Sequence, residues 1–215
     1  MKILFLTDSL SLPRNTQTER VEYEHTYPYL LKKKFPKHDF VFVGVGGGTI
    51  SNLFNQSLYY TAFNPDLVFL QSGIVDCAPR PFRKIEKKII NELRIRFLFA
   101  PFVKFLAKNR NYKYTSIKRF NYFSQHLKKL FNDSEIYSIG ILPASAKYEK
   151  KLPGITKSIA EYNEILKQNF NYIDNSNFPE DGILSDFHHL NDKGHKIIFD
   201  KVSEIVGSIV NQKTD

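Results

Sequence analysis

Five short apolar runs, separated by stretches with helical periodicity, constrain the fold of this sequence more than any other feature. The runs are rich in β-branched and aromatic residues, as is typical of strands, and they lie at residues 2–7, 39–43, 67–71, 135–139 and 171–173. Strands that alternate with helices form βαβ units whose strands are parallel. The pattern therefore predicts a three-layer α/β/α sandwich around a five-stranded, mostly parallel sheet.

The helices between these strands carry recognisable start signals. Thr26 precedes Pro28 in the order expected of an N-cap and a first-turn proline, and Asn191 is a good N-cap for the last helix. Another periodic run follows Pro153 and Gly154. We expect each of these helices to pack on the sheet.

The length of 215 residues and the apolar content of 42% are sufficient for one domain, which we take to span residues 1–215. Its apolar runs are far shorter than the ~20 residues of a membrane-spanning helix, and the first run is too short for a signal peptide. Cys77 is the single cysteine, which fits a reducing compartment. We therefore expect a cytoplasmic protein.

The basic residues are concentrated in one segment. Residues 80–129 contain 15 Lys and Arg but only two acidic residues, whereas the rest of the chain has 16 basic and 20 acidic residues. We interpret residues 80–130 as a basic helical insertion that Pro101 kinks or splits. Three interpretations of its charge are open, and we favour a solvated helical face first and a site for an anionic membrane surface second. A nucleic-acid surface is the least favoured, since no nucleic-acid-binding motif accompanies the charge.

Candidate site residues follow four of the predicted strands, where open α/β sheets form their sites. Ser9 follows the first strand, Gly44 the second, and Asp76 and Arg80 the third. Near the C-terminus, Asp186 stands three residues before His189 in a loop, a spacing that lets the acid orient one imidazole nitrogen and leave the other as a base. Taken singly, each position is equally typical of a cap or a turn.

Taken together and in order, these positions resemble the SGNH hydrolases, also called GDSL-type esterases. Asp8, Ser9 and Leu10 match the first family block, with Thr7 in place of its glycine, and Gly44 begins a Gly-x-x-Gly-x-Thr context like that of the second block. Residues 186–195 closely resemble the final block, Asp-x-x-His-Leu-Asn-x-x-Gly-His. The resemblance spans most of the chain and implies the family's flavodoxin-like fold.

The resemblance also implies roles for individual residues. Ser9 would be the nucleophile, His189 its general base and Asp186 the group that orients the histidine, with His188 a neighbour and His195 a structural residue. The backbone N–H groups of Ser9 and Gly44 would form the oxyanion hole.

The third block departs from the family pattern, because Val75 stands where the family has an oxyanion-hole asparagine. Gln71, Asn109 or another backbone N–H are the candidate replacements. We expect Asp8, Asp76 and Arg80 to contact substrate, with a local ion pair as the alternative for Arg80.

The resemblance implies a serine ester hydrolase or O-acyltransferase that works through an acyl-enzyme on Ser9, and that needs no cofactor or metal. We expect its substrate to be an O-acyl (acetyl) group of a carbohydrate or polysaccharide. The alternatives are a lysophospholipase or thioesterase at the inner face of a membrane, and a non-catalytic binding protein in which Val75 marks lost chemistry. The sequence does not give the oligomeric state.

Overall fold

A computed structural model describes residues 1–110 and 112–212 and contains the predicted parallel sheet. The five strands are β1 Lys2–Thr7, β4 Asp39–Gly44, β5 Leu67–Gln71, β6 Glu135–Ile139 and β7 Asn171–Ile173, and two short strands, β2 Arg14–Asn15 and β3 Arg20–Val21, form a separate ribbon. The sheet order is β4-β1-β5-β6-β7, and every neighbouring pair is parallel. This confirms the predicted strands, with β4 one residue longer than expected.

The two central strands are apolar on both faces because helices cover both sides of the sheet. All five residues of β5 and the last five of β1 are buried. Phe5 stacks on Phe69 of the neighbouring strand, with ring centroids 4.8 Å apart, and also contacts Phe42. This aromatic cluster fixes the register at the centre of the sheet.

Helices form the two outer layers. On one side the first crossover helix contacts the last helix, and on the other side the crossover helices pack against one another. The first layer consists of α1 Tyr27–Lys34 and α10 Asp192–Gln212, and the second of α2 Ile50–Ser57, α3 Ile74–Cys77, α7 Ile117–Leu130, α8 Ala146–Lys151 and α9 Ile155–Asn169. Asn191 accepts a hydrogen bond from the Gly194 N–H, which confirms it as the N-cap of α10.

The basic segment consists of two different structures. Its first part forms three short helices, α4 Lys84–Glu92, α5 Arg96–Phe99 and α6 Val103–Arg110, which we call the insertion helices. Pro101 lies in a 3₁₀ turn between the last two, so the predicted split is observed. The second part, α7, is a crossover helix packed on α2 and α9. The insertion is therefore shorter than the predicted 80–130, because a bridge between Arg80 and Tyr112 closes it.

A short β-ribbon after β1 was not predicted from the sequence. Its strands, β2 Arg14–Asn15 and β3 Arg20–Val21, are antiparallel and only two residues long. Thr16 and Glu19 close the turn, since the Thr16 N–H donates to the Glu19 carbonyl at 2.9 Å. Strands this short carry no periodic signal that a sequence pattern could reveal.

Among the described residues, no helix is both long and apolar enough to cross a membrane.

Candidate active site

Ser9 lies where β1 ends, at the point where the strand order reverses. β1 has β4 on one side and β5 on the other, and open α/β sheets bind ligands at the crevice above such a switch point. Ser9 begins a 3₁₀ turn, Ser9–Ser11, which the Asp8 carboxyl caps by accepting from the Leu10 N–H at 3.0 Å. The turn presents the Ser9 hydroxyl toward the final loop of the chain.

That loop brings a histidine and an acid to Ser9. The Ser9 Oγ lies 2.9 Å from the Nε2 of His189, and the Nδ1 of His189 lies 2.5 Å from a carboxylate oxygen of Asp186. The other Asp186 oxygen accepts from the backbone N–H groups of His188 and His189 at 3.2 and 3.0 Å. The three predicted residues therefore form one continuous hydrogen-bonded chain.

These hydrogen bonds also hold Asp186 in its charged form. They outweigh the opposing effect of burial, which is the largest single influence, and lower the pKa of the Asp186 carboxyl well below its ordinary value. A carboxylate at this position fixes the Nδ1–H tautomer of His189 and leaves Nε2 as the acceptor.

The loop is tied down at its base and at its side. Its ends pair through a bridge between Ile183 and Leu190, and Phe187 adopts a left-handed conformation with a φ of 77°. The Glu19 carboxylate lies at the turn of the β2–β3 ribbon. It accepts hydrogen bonds from the backbone N–H of Ser185 at 2.9 Å and from the Ser185 hydroxyl at 2.6 Å. This contact joins the ribbon after Ser9 to the loop of His189.

The two other histidines of the final block do not contact Ser9. The ring of His188 packs beside that of His189, and burial lowers its pKa to about 4, so it is neutral at pH 7. His195 is fully buried in α10, where its Nδ1 accepts from the Tyr27 N–H at 3.3 Å and burial lowers its pKa to about 3. His195 is structural, as expected.

Asp8 requires a correction, because we expected it to contact substrate. Its side chain is 1% exposed and lies in a polar network below Ser9. Burial raises the pKa of Asp8 to about 8, so the carboxyl is protonated at neutral pH. A neutral group that caps the Ser9 turn from below supports the nucleophile and does not reach a ligand.

Asp76 requires the same correction. It is fully buried, and its carboxylate accepts from the Ile50 N–H at the start of α2 and from the Ser72 hydroxyl at 3.3 Å. Burial raises its pKa to about 6. Asp76 therefore joins the end of β5 to α2 and does not contact substrate.

Arg80 is partly exposed, with its guanidinium 4.7 Å from the centre of the Tyr114 ring. The described residues include no ion pair of Arg80 with an acid, and its role toward substrate stays a prediction.

The positions considered for the oxyanion hole have different surroundings. Gly44 ends β4, and a Cβ at this position would come within 2.6 Å of Leu12, so the turn packs directly on the glycine backbone. Gln71 is buried, and its side-chain oxygen accepts from the Tyr27 hydroxyl at 2.7 Å. Val75 lies in α3 as a partly buried apolar residue. The side chain of Asn109 lies outside the described part of the chain.

One residue of the site was missed by the sequence reasoning. Arg14, in β2, places its Nη2 against the Nε2 of His189, the same nitrogen that faces Ser9. Its Nε is buried and forms no hydrogen bond with the described residues. An isolated arginine after a proline gives no signal in the sequence, because only the ribbon turns it back over Ser9.

Asp186, His188 and His189 also form a group of potential metal ligands, with one ligand atom of each within 4.8 Å of the others. The same atoms form the hydrogen bonds described above. A cation could bind here only by replacing those bonds and by approaching the charge of Arg14.

Comparisons with known proteins support the fold. No family model matches the sequence, and no curated protein matches it significantly. Among solved structures, the lipase/acylhydrolase from Enterococcus faecalis aligns with 96% of both chains at a TM-score of 0.67 and 14% identity. The acetyl xylan esterase AlAXEase aligns with 96% of this chain and all of its own at 0.63 and 21% identity.

A third structure, the esterase EstA from Pseudoalteromonas sp., aligns with 98% of both chains at a TM-score of 0.56 and 14% identity. These likenesses extend over nearly the full length of each chain. The protein therefore has the three-layer fold of the SGNH hydrolases, as its motifs predicted.

Proposed function

We propose that the protein is a serine ester hydrolase of the SGNH type, with Ser9 as nucleophile, His189 as general base and Asp186 as the residue that orients His189. The observation that carries this proposal is the hydrogen-bonded chain from Ser9 Oγ through both nitrogens of His189 to Asp186. An unactivated serine is a weak nucleophile, and an adjacent oriented base is the standard means of activating it.

The reaction proceeds in two steps. His189 Nε2 takes the hydroxyl proton as Ser9 Oγ attacks the ester carbonyl, and the same proton then passes to the leaving alcohol while the acyl group stays on Ser9. In hydrolysis, water replaces the alcohol and the sequence runs in reverse; in acyl transfer, an acceptor hydroxyl takes that place. The backbone N–H groups of Ser9 and Gly44 would stabilise the oxyanion, and Val75 has no side-chain donor to add to them.

We propose O-acyl groups, chiefly acetyl groups, of a carbohydrate or polysaccharide as the substrate class. The support is the acetyl xylan esterase among the structural neighbours, at 21% identity. Arg80, which is partly exposed, is a candidate contact for an anionic part of such a substrate.

The test is labelling with a fluorophosphonate probe, followed by turnover of p-nitrophenyl acetate. We expect the wild type to be labelled and the Ser9→Ala and His189→Ala variants to lose both label and turnover, with the Ser208→Ala variant as a matched control on the exposed face of α10. A folded wild type that takes no label contradicts the proposal and favours a non-catalytic binding protein with this fold.

A second candidate function, a lysophospholipase or thioesterase at an anionic membrane surface, is favoured by the insertion helices. Most of the large apolar side chains described between residues 84 and 110 are exposed although they have helical spacing, and the same segment is strongly basic, a combination that fits an anionic lipid surface. The exposed residues of these helices and the turns between them include Ile85, Ile89, Leu93, Phe97, Leu98 and Phe102, whereas Ile90 is buried. The buried thiol of Cys77 is compatible with the cytoplasmic side.

Co-sedimentation with vesicles tests this second candidate. We expect binding to vesicles that contain phosphatidylglycerol, weaker binding to phosphatidylcholine alone, and a loss of at least about tenfold in the Phe97→Ser/Phe102→Ser double variant. Equal binding of the double variant and the wild type, or no binding to either vesicle, contradicts it.

A further inference from the structure

The guanidinium of Arg14 lies beside the two groups that would react with an ester, the Ser9 hydroxyl and the Nε2 of His189. Its Nη2 contacts the Nε2 of His189, and that nitrogen is 2.9 Å from the Ser9 hydroxyl. Any ester carbonyl that Ser9 attacks therefore lies beside this cation.

Arg14 has no permanent countercharge. No carboxylate among residues 1–110 and 112–212 forms an ion pair with it, and its buried Nε has no hydrogen-bond acceptor there. Asp8 lies close enough to be affected by the charge of Arg14, but burial keeps the Asp8 carboxyl protonated at neutral pH. A partly buried arginine without an anion is costly, and that cost falls when an anion binds.

The contact with His189 also opposes the proposed chemistry. A guanidinium is always charged and has donors only, so it competes with the Ser9 proton for the single lone pair of Nε2. Ser9 and Arg14 therefore share one acceptor, and the base is more available to Ser9 when Arg14 binds another acceptor.

We propose that Arg14 is a specificity-determining residue that binds an anionic group, a carboxylate or a phosphate, on the ester substrate. A planar guanidinium binds either group through two parallel hydrogen bonds. Binding would draw Arg14 away from Nε2, so that the ester that pairs with Arg14 also frees the base that activates Ser9. This inference rests on the proposed function and adds the charge of the substrate to it.

The test compares matched neutral and anionic esters. p-Nitrophenyl hemisuccinate, with a carboxylate on the acyl side, is matched by p-nitrophenyl butyrate. p-Acetoxybenzoate and p-acetoxyphenyl phosphate, with a carboxylate or a phosphate on the alcohol side, are matched by p-acetoxybenzamide. These arms separate a carboxylate from a phosphate and the acyl side from the alcohol side.

For the wild type we expect kcat/KM to be at least about tenfold higher for one anionic ester than for its neutral match, the size of a charge-assisted hydrogen bond. Arg14→Gln should lose this preference and hydrolyse the neutral ester faster than the wild type, because Nε2 is no longer contacted by a cation. Arg14→Lys keeps the charge without the planar fork and should retain only part of the preference.

The matched control is Arg20→Gln. Arg20 is on the same ribbon but is exposed and paired with Glu22, so its loss removes one positive charge without touching the site. We expect this control to keep the wild-type preference.

The measurements separate an error about the role of Arg14 from an error about the role of Ser9. An unchanged ratio of anionic to neutral kcat/KM in Arg14→Gln for all the esters, with Ser9 still labelled by the neutral fluorophosphonate, overturns the role of Arg14 alone. Absence of label and turnover in every folded variant overturns both. Faster labelling of Arg14→Gln than of the wild type supports the competition for Nε2.

Discussion

The loops around Ser9 and the insertion helices differ in whether their side chains find partners within the fold. Around Ser9, hydrogen bonds within the fold hold the loops, among them the Asp8 cap and the Glu19 contact with Ser185, and the Nε of Arg14 is the exception named above. In the insertion helices, by contrast, large apolar side chains such as Phe97 are exposed to solvent. The loops around Ser9 are therefore held by contacts within the chain, whereas the insertion helices leave an apolar surface that a partner could cover.

The largest effect in this comparison is expected from Asp186→Asn. The substitution retains the size of the side chain but removes the charge that fixes the His189 tautomer, so kcat for p-nitrophenyl acetate should fall by roughly 10³–10⁴. Steady-state turnover measures this, with circular dichroism to verify the fold. A fall of less than tenfold would mean that backbone contacts alone orient His189.

The second effect concerns Asp8 and the pH dependence of stability. The folded pKa of Asp8, about 8, lies above its ordinary value of 3.8, so the folded state holds a proton that the unfolded state has lost between these values. Wild-type stability therefore falls as the pH rises from about 4 to about 8. Asp8→Asn should be the more stable protein above pH 8, by several kcal/mol, and should approach wild type near pH 4.

Chemical denaturation at pH 4, 6 and 8.5 measures this difference. Asp76, whose pKa burial also raises, is present in both proteins, and its charge contributes to the raised pKa of Asp8, so the measured difference includes the interaction of the two acids. A difference between Asp8→Asn and wild type that does not change with pH would contradict the neutral state of the Asp8 carboxyl.

The sequence was sufficient for the fold and for the three residues of the hydrogen-bonded chain, for physical reasons. The apolar runs of β1 and β5 are buried on both faces, which makes them easy to recognise. Asp186 and His189 are three residues apart in one loop, so their contact is local. Ser9 was identified through the resemblance of Asp8, Ser9 and Leu10 to the first SGNH block, and it follows β1, where the carboxyl ends of parallel strands meet.

The remaining parts of the site depend on contacts that no local pattern contains. Arg14 reaches His189 only because a two-residue ribbon folds back, and the two are 175 positions apart. Asp8 and Asp76 resemble ligand-binding acids in sequence, and only their burial identifies them as supports. The end of the insertion was misplaced because α7, like α4, is rich in Lys and Arg, although α7 packs on α2 and α9.

A third, smaller effect is expected from Glu19→Gln, which weakens the contact between the ribbon and the loop of His189. The Glu19 carboxylate accepts two hydrogen bonds from Ser185, one at each oxygen, whereas an amide has a single acceptor oxygen and no charge. We expect kcat to fall by about three- to tenfold, as for a lost charge-assisted contact at a partly exposed site, with KM for p-nitrophenyl acetate little changed. Glu22→Gln, on the same ribbon, is the control, and an equal fall in both variants would contradict a positioning role for Glu19.

The smallest effect is expected in the insertion helices. Phe97 is 70% exposed, so Phe97→Ser removes little buried area and should change the free energy of unfolding by no more than about 0.5 kcal/mol. Phe5→Ala, in the centre of the sheet, should cost about 3–5 kcal/mol in the same urea titration. A cost above about 1 kcal/mol for Phe97→Ser would mean that its ring is buried in solution. A negligible cost would mean that folding does not require an aromatic residue there, which leaves contact with a partner, such as a lipid surface, as the physical use of that side chain.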